Sequence, residues 1–280
     1  MADVTRLPSF VVIGAVKAAT TWTNAQLQDH PEIFMPGPEP HYFSTCFDRG
    51  IKYYESFFSS VGEGKLIGEK SADYFSHPLA AERIAALLPS ARLVLQLRNP
   101  VDRAYSDYKM LYRRGTISGP PEQYLTPQSE WPRLLEYGRY AHHLHRWQDH
   151  FDPEQFKIIL YDDIISSPRK TVLTVCSHIG ARPFYSDAVG ARAVNDGSAP
   201  LLPLAMRRWL SPLKPVAQPF RYAPGFQHVR NLVAREMSYP PLKAETRARL
   251  IDYFSEDIEQ LASTIGRNLD HWLARDAIAA

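Results

Sequence analysis

Cysteine is scarce in this 280-residue chain, which carries only Cys46 and Cys176. The two lie far apart and form no metal-ligand pair, so a disulfide scaffold and a thiolate metal site are set aside, and a reducing compartment is the simplest reading. Net charge is scarce as well. Lysine and arginine number 32 against 30 aspartates and glutamates, a formal charge of +2 that implies no general polyanion-binding surface. No nucleic-acid partner is expected, and any basic site must be local. Long apolar runs are missing. The first run, Phe10-Val-Val-Ile-Gly-Ala-Val, stops at Lys17 and is too short to span a bilayer, and Met1 to Leu7 shows no signal-peptide pattern. The expectation is a cytoplasmic protein without a membrane span. What is present is 45% hydrophobic and 22% charged residues, an ordinary globular balance on a chain long enough to bury its own core.

Strand and helix patterns alternate, which predicts an α/β fold around a central, mostly parallel sheet flanked by helices. Phe10 to Ile13 is a short β-branched run suited to a buried parallel strand. A loop follows, then a helix from Thr20 to Asp29 that ends before Pro31. Lys65 to Gly68 and Arg92 to Leu97 read as further strands, with a helix from Leu79 to Leu88 between them. Asn99-Pro100 supplies an N-cap and an N1 proline for a helix reaching Arg113. Beyond a Gly-, Pro- and Ser-rich loop at 115–130, the pattern predicts a helix at Arg139 to Phe151, a strand at Phe156 to Tyr161, and a helix opened by Ser166-Ser167-Pro168. Six prolines between Ala199 and Gly225 argue for an irregular acceptor-side segment, about 199–235. A terminal helix runs from Glu245 to Ile265, with a break expected near Ser255. No repeat or linker divides the chain, so one domain over 1–280 is expected.

A strand, a short loop and a helix opening with two threonines form a recurrent phosphate cradle. The helix start offers unpaired N–H groups and the positive end of its dipole, and Lys17 adds a full charge. A capped helix beside a solvated lysine is the plain alternative. The Walker A spacing is absent, because Lys17 stands before Ala18-Ala19 and not directly before a Ser or Thr. A nucleotide or small-molecule kinase therefore stays open only as a second reading, and a non-catalytic nucleotide-binding module as a third.

Ala15-Val16-Lys17-Ala18-Ala19-Thr20-Thr21-Trp22 resembles the 5′-phosphosulfate loop of sulfotransferases that use 3′-phosphoadenosine-5′-phosphosulfate (PAPS), whose usual form is Pro-x-Lys-x-Gly-Thr-Thr. Ala19 stands at the usual glycine, which places the loop here in ordinary φ/ψ space. The stretch from Leu95 to Tyr108 is similar to the family's 3′-phosphate motif, with Arg98 at a strand end and Ser106 on the next helix. A guanidinium and a hydroxyl suit a phosphate monoester, although Arg98 paired with Asp102 is the plain alternative. Glu39-Pro40-His41-Tyr42-Phe43 resembles the Glu-Pro-His-Phe-Phe segment of the heparan-type members, where the glutamate is the catalytic base. Glu69-Lys70-Ser71-Ala72-Asp73-Tyr74-Phe75 resembles the family's Glu-Lys-(Ser/Thr)-x-x-Tyr-Phe, whose lysine reaches the active site.

The resemblance implies a sulfotransferase fold related to the P-loop nucleotide kinases and PAPS as donor co-substrate, released as 3′-phosphoadenosine-5′-phosphate. It implies catalytic roles for Glu39, Lys17, Lys70 and His41, and donor binding by Lys17, Ala18, Ala19, Thr20, Thr21, Trp22, Arg98 and Ser106. Arg230 and Arg235 are the basic candidates for closing over the donor's 3′-phosphate end. His142, His143 and His145 read as a solvated helix face without the acidic partners of a metal site, so no metal is expected. The acceptor is a small molecule, lipid or saccharide bearing a hydroxyl or amine.

Overall fold

The computed structural model describes residues 7–191 and 237–275. Five strands form one sheet: β1 (Phe10–Gly14), β2 (Ile33–Phe34), β3 (Leu66–Lys70), β4 (Arg92–Leu97) and β5 (Phe156–Leu160). Their order is β2-β3-β1-β4-β5 and every pairing is parallel. Both faces are covered, which is why β1 and β4 read as nearly continuous apolar runs instead of alternating ones. One apolar cluster holds Val11, Ile13, Phe75, Leu93 and Leu95, and a second, on the other face, holds Phe10, Val12, Trp22 and Val94.

The helices that position the site are α1 (Thr20–Gln28), α2 (Ile51–Glu55), α3 (Ala80–Leu87) and α4 (Pro100–Arg114). They are followed by α5 (Arg133–Glu136), α6 (Tyr140–Gln148), α7 (Tyr161–Ser166), α8 (Pro168–Ile179), α9 (Asp187–Gly190), α10 (Ala244–Ile265) and α11 (Asp270–Leu273). Asn99 caps α4 as its sequence predicts, its side chain accepting from the N–H groups of Val101 and Asp102, an arrangement worth about 1 kcal/mol. Gly115 and Gly180 end α4 and α8 in the left-handed conformation. Asp257 on α10 accepts from the N–H groups of Ala141 and His142 at 3.0 and 3.1 Å, so one helix caps the start of another.

Three expectations are corrected. The terminal helix does not break at Ser255. Its apolar face continues through Phe254, Ile258 and Leu261, and the Ser255 hydroxyl bonds back to the Asp252 carbonyl at 2.9 Å. His143 is buried and not solvated, its Nε2 lying 2.8 Å from the Glu136 carbonyl, and burial pushes its pKa down to about 4. The helical spacing could not distinguish it from its exposed neighbours His142 and His145. Short elements such as β2, α2 and α7 were also missed, because two to six residues carry too little periodicity to register.

Sheet order sets the location of the site. From β1 the chain crosses toward β2 and β3, whereas β4 leads to β5 on the opposite side. The crevice between the carboxyl ends of β1 and β4 is therefore a topological switch point, where open α/β sheets bind ligands. Among the described residues no helix is long and apolar enough to cross a membrane.

Candidate active site

The loop from Gly14 to Ala19 leaves β1 at this crevice. Ala19 is the residue before α1 and has φ 67° and ψ 18°, and Lys17 has φ 70°. The expectation of ordinary φ/ψ space is thus wrong. Alanine occupies the left-handed region that the family's glycine enters freely, and its short side chain is the least costly alternative. The conformation is held from outside the loop. Gln96, in the middle of β4, donates through Nε2 to the Ala18 carbonyl at 3.4 Å and to the Thr23 hydroxyl at 2.9 Å, and the Gln96 carbonyl accepts from the Ala15 N–H at 2.7 Å. Gln96 was missed as a site-building residue. The signal was a lone polar side chain inside Arg-Leu-Val-Leu-Gln-Leu.

Ala18, Ala19 and Thr20 are buried at the start of α1, with Thr21 exposed beside them. No side chain caps this helix start and no acidic residue stands in its first turn, so its positive end is left for an anion. The Trp22 ring is buried, and its Nε1 has no hydrogen-bond partner among the described residues.

Burial pushes the Lys17 ammonium below the ordinary lysine value. Asp107 opposes that shift, while the like charges of Arg98, Arg114 and Lys109 reinforce it. The loop, the end of β4 and α4 therefore converge as a positive cluster. Arg98 lies 4.4 Å over the Tyr161 ring and forms no ion pair with Asp102, which pairs instead with Arg247 at 2.5 Å. Its backbone carbonyl accepts from the Tyr140 hydroxyl at 2.9 Å. Ser106 is half-buried two turns into α4, and its hydroxyl has no hydrogen-bond partner among the described residues. Neither Lys17 nor Arg98 thus forms an ion pair among the described residues, although the charge of Asp107 reaches Lys17. Arg230 and Arg235 lie outside the described residues.

The Glu39 carboxylate sits at the end of β3. Lys70, the last residue of that strand, donates to Glu39 Oε1 at 2.5 Å, and the Ala72 N–H donates to Glu39 Oε2 at 3.0 Å. His41 Nε2 is 3.9 Å from Glu39 Oε2, and its Nδ1 is 2.7 Å from Asp73 Oδ1. That hydrogen bond raises the His41 pKa against the opposing effect of burial, and the charges of Asp73 and Glu39 add to the rise. Behind them Glu69 is fully buried and accepts from Tyr54, Ser71 and Tyr74 at 2.9, 3.1 and 3.1 Å. Burial lifts its pKa to about 7 despite those hydroxyls. Ligand atoms of Glu39, His41 and Asp73 lie within 4.8 Å of one another, a trio that sequence spacing did not suggest. A carboxylate, a flanking ammonium and an imidazole thus stand together near an uncapped helix start, an arrangement with the parts that proton removal and anion stabilisation use.

Comparison with known proteins bears on the fold and the family. The family model described as "Sulfotransferase family" matches residues 48–186. Human heparan sulfate glucosamine 3-O-sulfotransferase 6 is 30% identical over 192 residues, covering 65% of this chain and 55% of that protein. Human bifunctional heparan sulfate N-deacetylase/N-sulfotransferase 2 is 27% identical over 294 residues, covering 97% of this chain and 31% of that protein. The chain thus spans about half the length of the first relative and about a third of the second. The crystal structure of a sulfotransferase from Alicyclobacillus acidocaldarius superposes with a TM-score of 0.74 at 23% identity, covering 96% of this chain and all of that one, and shows the same fold. Residues 48–186, about half of the chain, match the sulfotransferase family. Within it, the relatives named above act, by their names, on heparan sulfate.

Proposed function

We propose that this protein moves the sulfuryl group of PAPS to a hydroxyl or amine of a saccharide acceptor by in-line displacement, with Glu39 as general base. The observation that carries the proposal is the Glu39 carboxylate held between Lys70, His41 and the Ala72 N–H, on the same sheet edge as the Lys17 loop. Lys17 and the start of α1 take the 5′-phosphosulfate, and Arg98 and Ser106 take the 3′-phosphate. As the acceptor attacks sulfur, its proton passes to Glu39 and the sulfur–oxygen bond to the 5′-phosphate breaks. Lys17 balances the charge left on that phosphate and Lys70 the charge on the transferring group. The names of the relatives favour a heparan-sulfate-like acceptor, and the first of them a glucosamine unit.

The reaction is proposed to need no metal. Glu39 is already paired with Lys70, and Asp73 is hydrogen-bonded to His41 Nδ1, so both carboxylates of the trio have partners within the chain. A cytoplasmic location is proposed on the sequence reading alone. Radiolabelled PAPS turnover on heparan-sulfate saccharides, with and without EDTA, tests the scheme. Glu39→Gln is expected to lower the rate by about 10²- to 10⁴-fold, and Lys17→Ala to weaken donor binding. Wild-type rates in both variants refute the site, and magnesium-dependent ATP binding tighter than 3′-phosphoadenosine-5′-phosphate binding restores the kinase reading.

A further inference from the structure

Position 73 is one of the two open positions in the family segment Glu-Lys-(Ser/Thr)-x-x-Tyr-Phe, so the resemblance assigns Asp73 no role. Its geometry does. His41 has a backbone φ of 49°, and its N–H donates to Ser71 Oγ at 3.0 Å, which seats the ring against the turn that follows β3. Asp73, two residues along that turn, meets Nδ1 at 2.7 Å. The other ring nitrogen is left facing Glu39 Oε2 at 3.9 Å. The charged and titratable groups around the ring are Asp73, Glu39 and Cys46, with Lys70 on the far side of Glu39. Burial works against an ionised Asp73, but hydrogen bonds from His41 and Ser44 outweigh it and hold the carboxyl below its ordinary value.

We propose that Asp73 is a positioning residue of the transfer site, fixing the His41 ring with Nδ1–H on its own carboxylate and Nε2 turned toward Glu39 and the incoming acceptor. The proposal rests on the sulfuryl-transfer reading above. A carboxylate on Nδ1 selects the tautomer and favours the imidazolium, so Nε2 is presented as a steady N–H donor. That donor orients the acceptor oxygen or nitrogen as Glu39 removes its proton. Asp73 touches neither donor nor acceptor, and its influence passes through His41.

Two measurements test this on the whole protein, with retained binding of 3′-phosphoadenosine-5′-phosphate showing that each variant is folded; only the first is made with that nucleotide bound. In the first, the ring ¹⁵N signals of His41, assigned by their loss in His41→Asn, are titrated in wild type and in Asp73→Asn. The expected result is a lower His41 pKa and a loss of the Nδ1–H tautomer in the variant. Identical titrations and tautomers overturn the proposal whether or not an acceptor has been found. In the second, PAPS turnover on N-desulfated heparan sulfate is followed against pH. Asp73→Asn is expected to lower kcat about tenfold, leave the KM for PAPS unchanged, and move the alkaline limb of the profile to lower pH, with Asp73→Glu restoring part of the rate. A fall in kcat with an unmoved alkaline limb reduces Asp73 to a loop tether and overturns the proposal. No wild-type turnover on any acceptor overturns the transfer reading itself, and the positioning role falls with it.

Discussion

Lys70 Nζ and Glu39 Oε1 are 2.5 Å apart, yet the two side chains are unequally buried, at 5% and 33% exposure. The pair is therefore asymmetric. Removing Lys70 leaves a carboxylate that keeps the Ala72 N–H and gains water. Removing Glu39 strands a buried ammonium, which is the costlier loss. Urea denaturation is expected to show Glu39→Ala destabilised by about 2–4 kcal/mol and Lys70→Met by about 1 kcal/mol or less. Equal losses contradict the asymmetry.

Arg98 and Ser106 are proposed to take the 3′-phosphate, since Arg98 rests on the Tyr161 ring and forms no ion pair among the described residues. Calorimetry on 3′-phosphoadenosine-5′-phosphate and on adenosine 5′-phosphate separates that role from general electrostatics. Arg98→Ala is expected to weaken the first by about 1.5–3 kcal/mol, roughly 10- to 100-fold, and to leave the second nearly unchanged. A parallel loss for both nucleotides assigns Arg98 to the field of the whole crevice instead.

Gly14 couples the Lys17 loop to the turn that holds Glu39. At its φ of +148° an added Cβ lies 2.8 Å from the Ala72 carbonyl oxygen and 2.9 Å from Phe75 Cβ. The turn at 72–75 carries the N–H that holds Glu39 and the carboxylate that holds His41. Gly14→Ala is expected to cost about 2 kcal/mol or more and to lower kcat although no reacting group is changed. Wild-type kcat in a destabilised variant breaks the link.

Glu69 makes stability depend on pH. Its pKa rises from 4.5 to about 7 in the fold because burial disfavours the charge. The folded state therefore holds the proton more tightly than the unfolded chain, and stability is lost as pH rises from about 4.5 to about 7. A rise of that size corresponds to roughly 3 kcal/mol. Glu69→Gln removes the dependence. Relative to wild type, the variant is expected to gain roughly that amount between about pH 5 and pH 8 in denaturant titrations. A constant difference across the range refutes it.

Much of this was legible along the chain. The strands at Phe10 and Arg92, the Asn99 cap and the α/β alternation are local patterns, because propensity, apolar runs and turn chemistry act over a few neighbours. The candidate residues Lys17, Glu39, Lys70 and Arg98 were legible only through motif resemblance, since a lysine before Ala-Ala or a glutamate among prolines has an ordinary structural reading. Other features were hidden. Gln96 beneath the loop, Asp73 behind His41 and the buried His143 depend on contacts across strands and helices that no residue spacing encodes. The left-handed Ala19 went against local preference, because Gln96 and the buried start of α1 outweigh the cost of a Cβ at positive φ.

The order of elements and the strand, loop and helix start that carry Lys17 were thus determined by the sequence alone, both being short-range properties. The tertiary structure decided which charges remain free. Asp102 was drawn away to Arg247, which left Arg98 without a carboxylate partner among the described residues, and Asp73 was brought to His41 across 32 residues of chain. The pairing of a charge is settled by whichever partner packing brings within hydrogen-bond reach, so that selection belongs to the assembled fold.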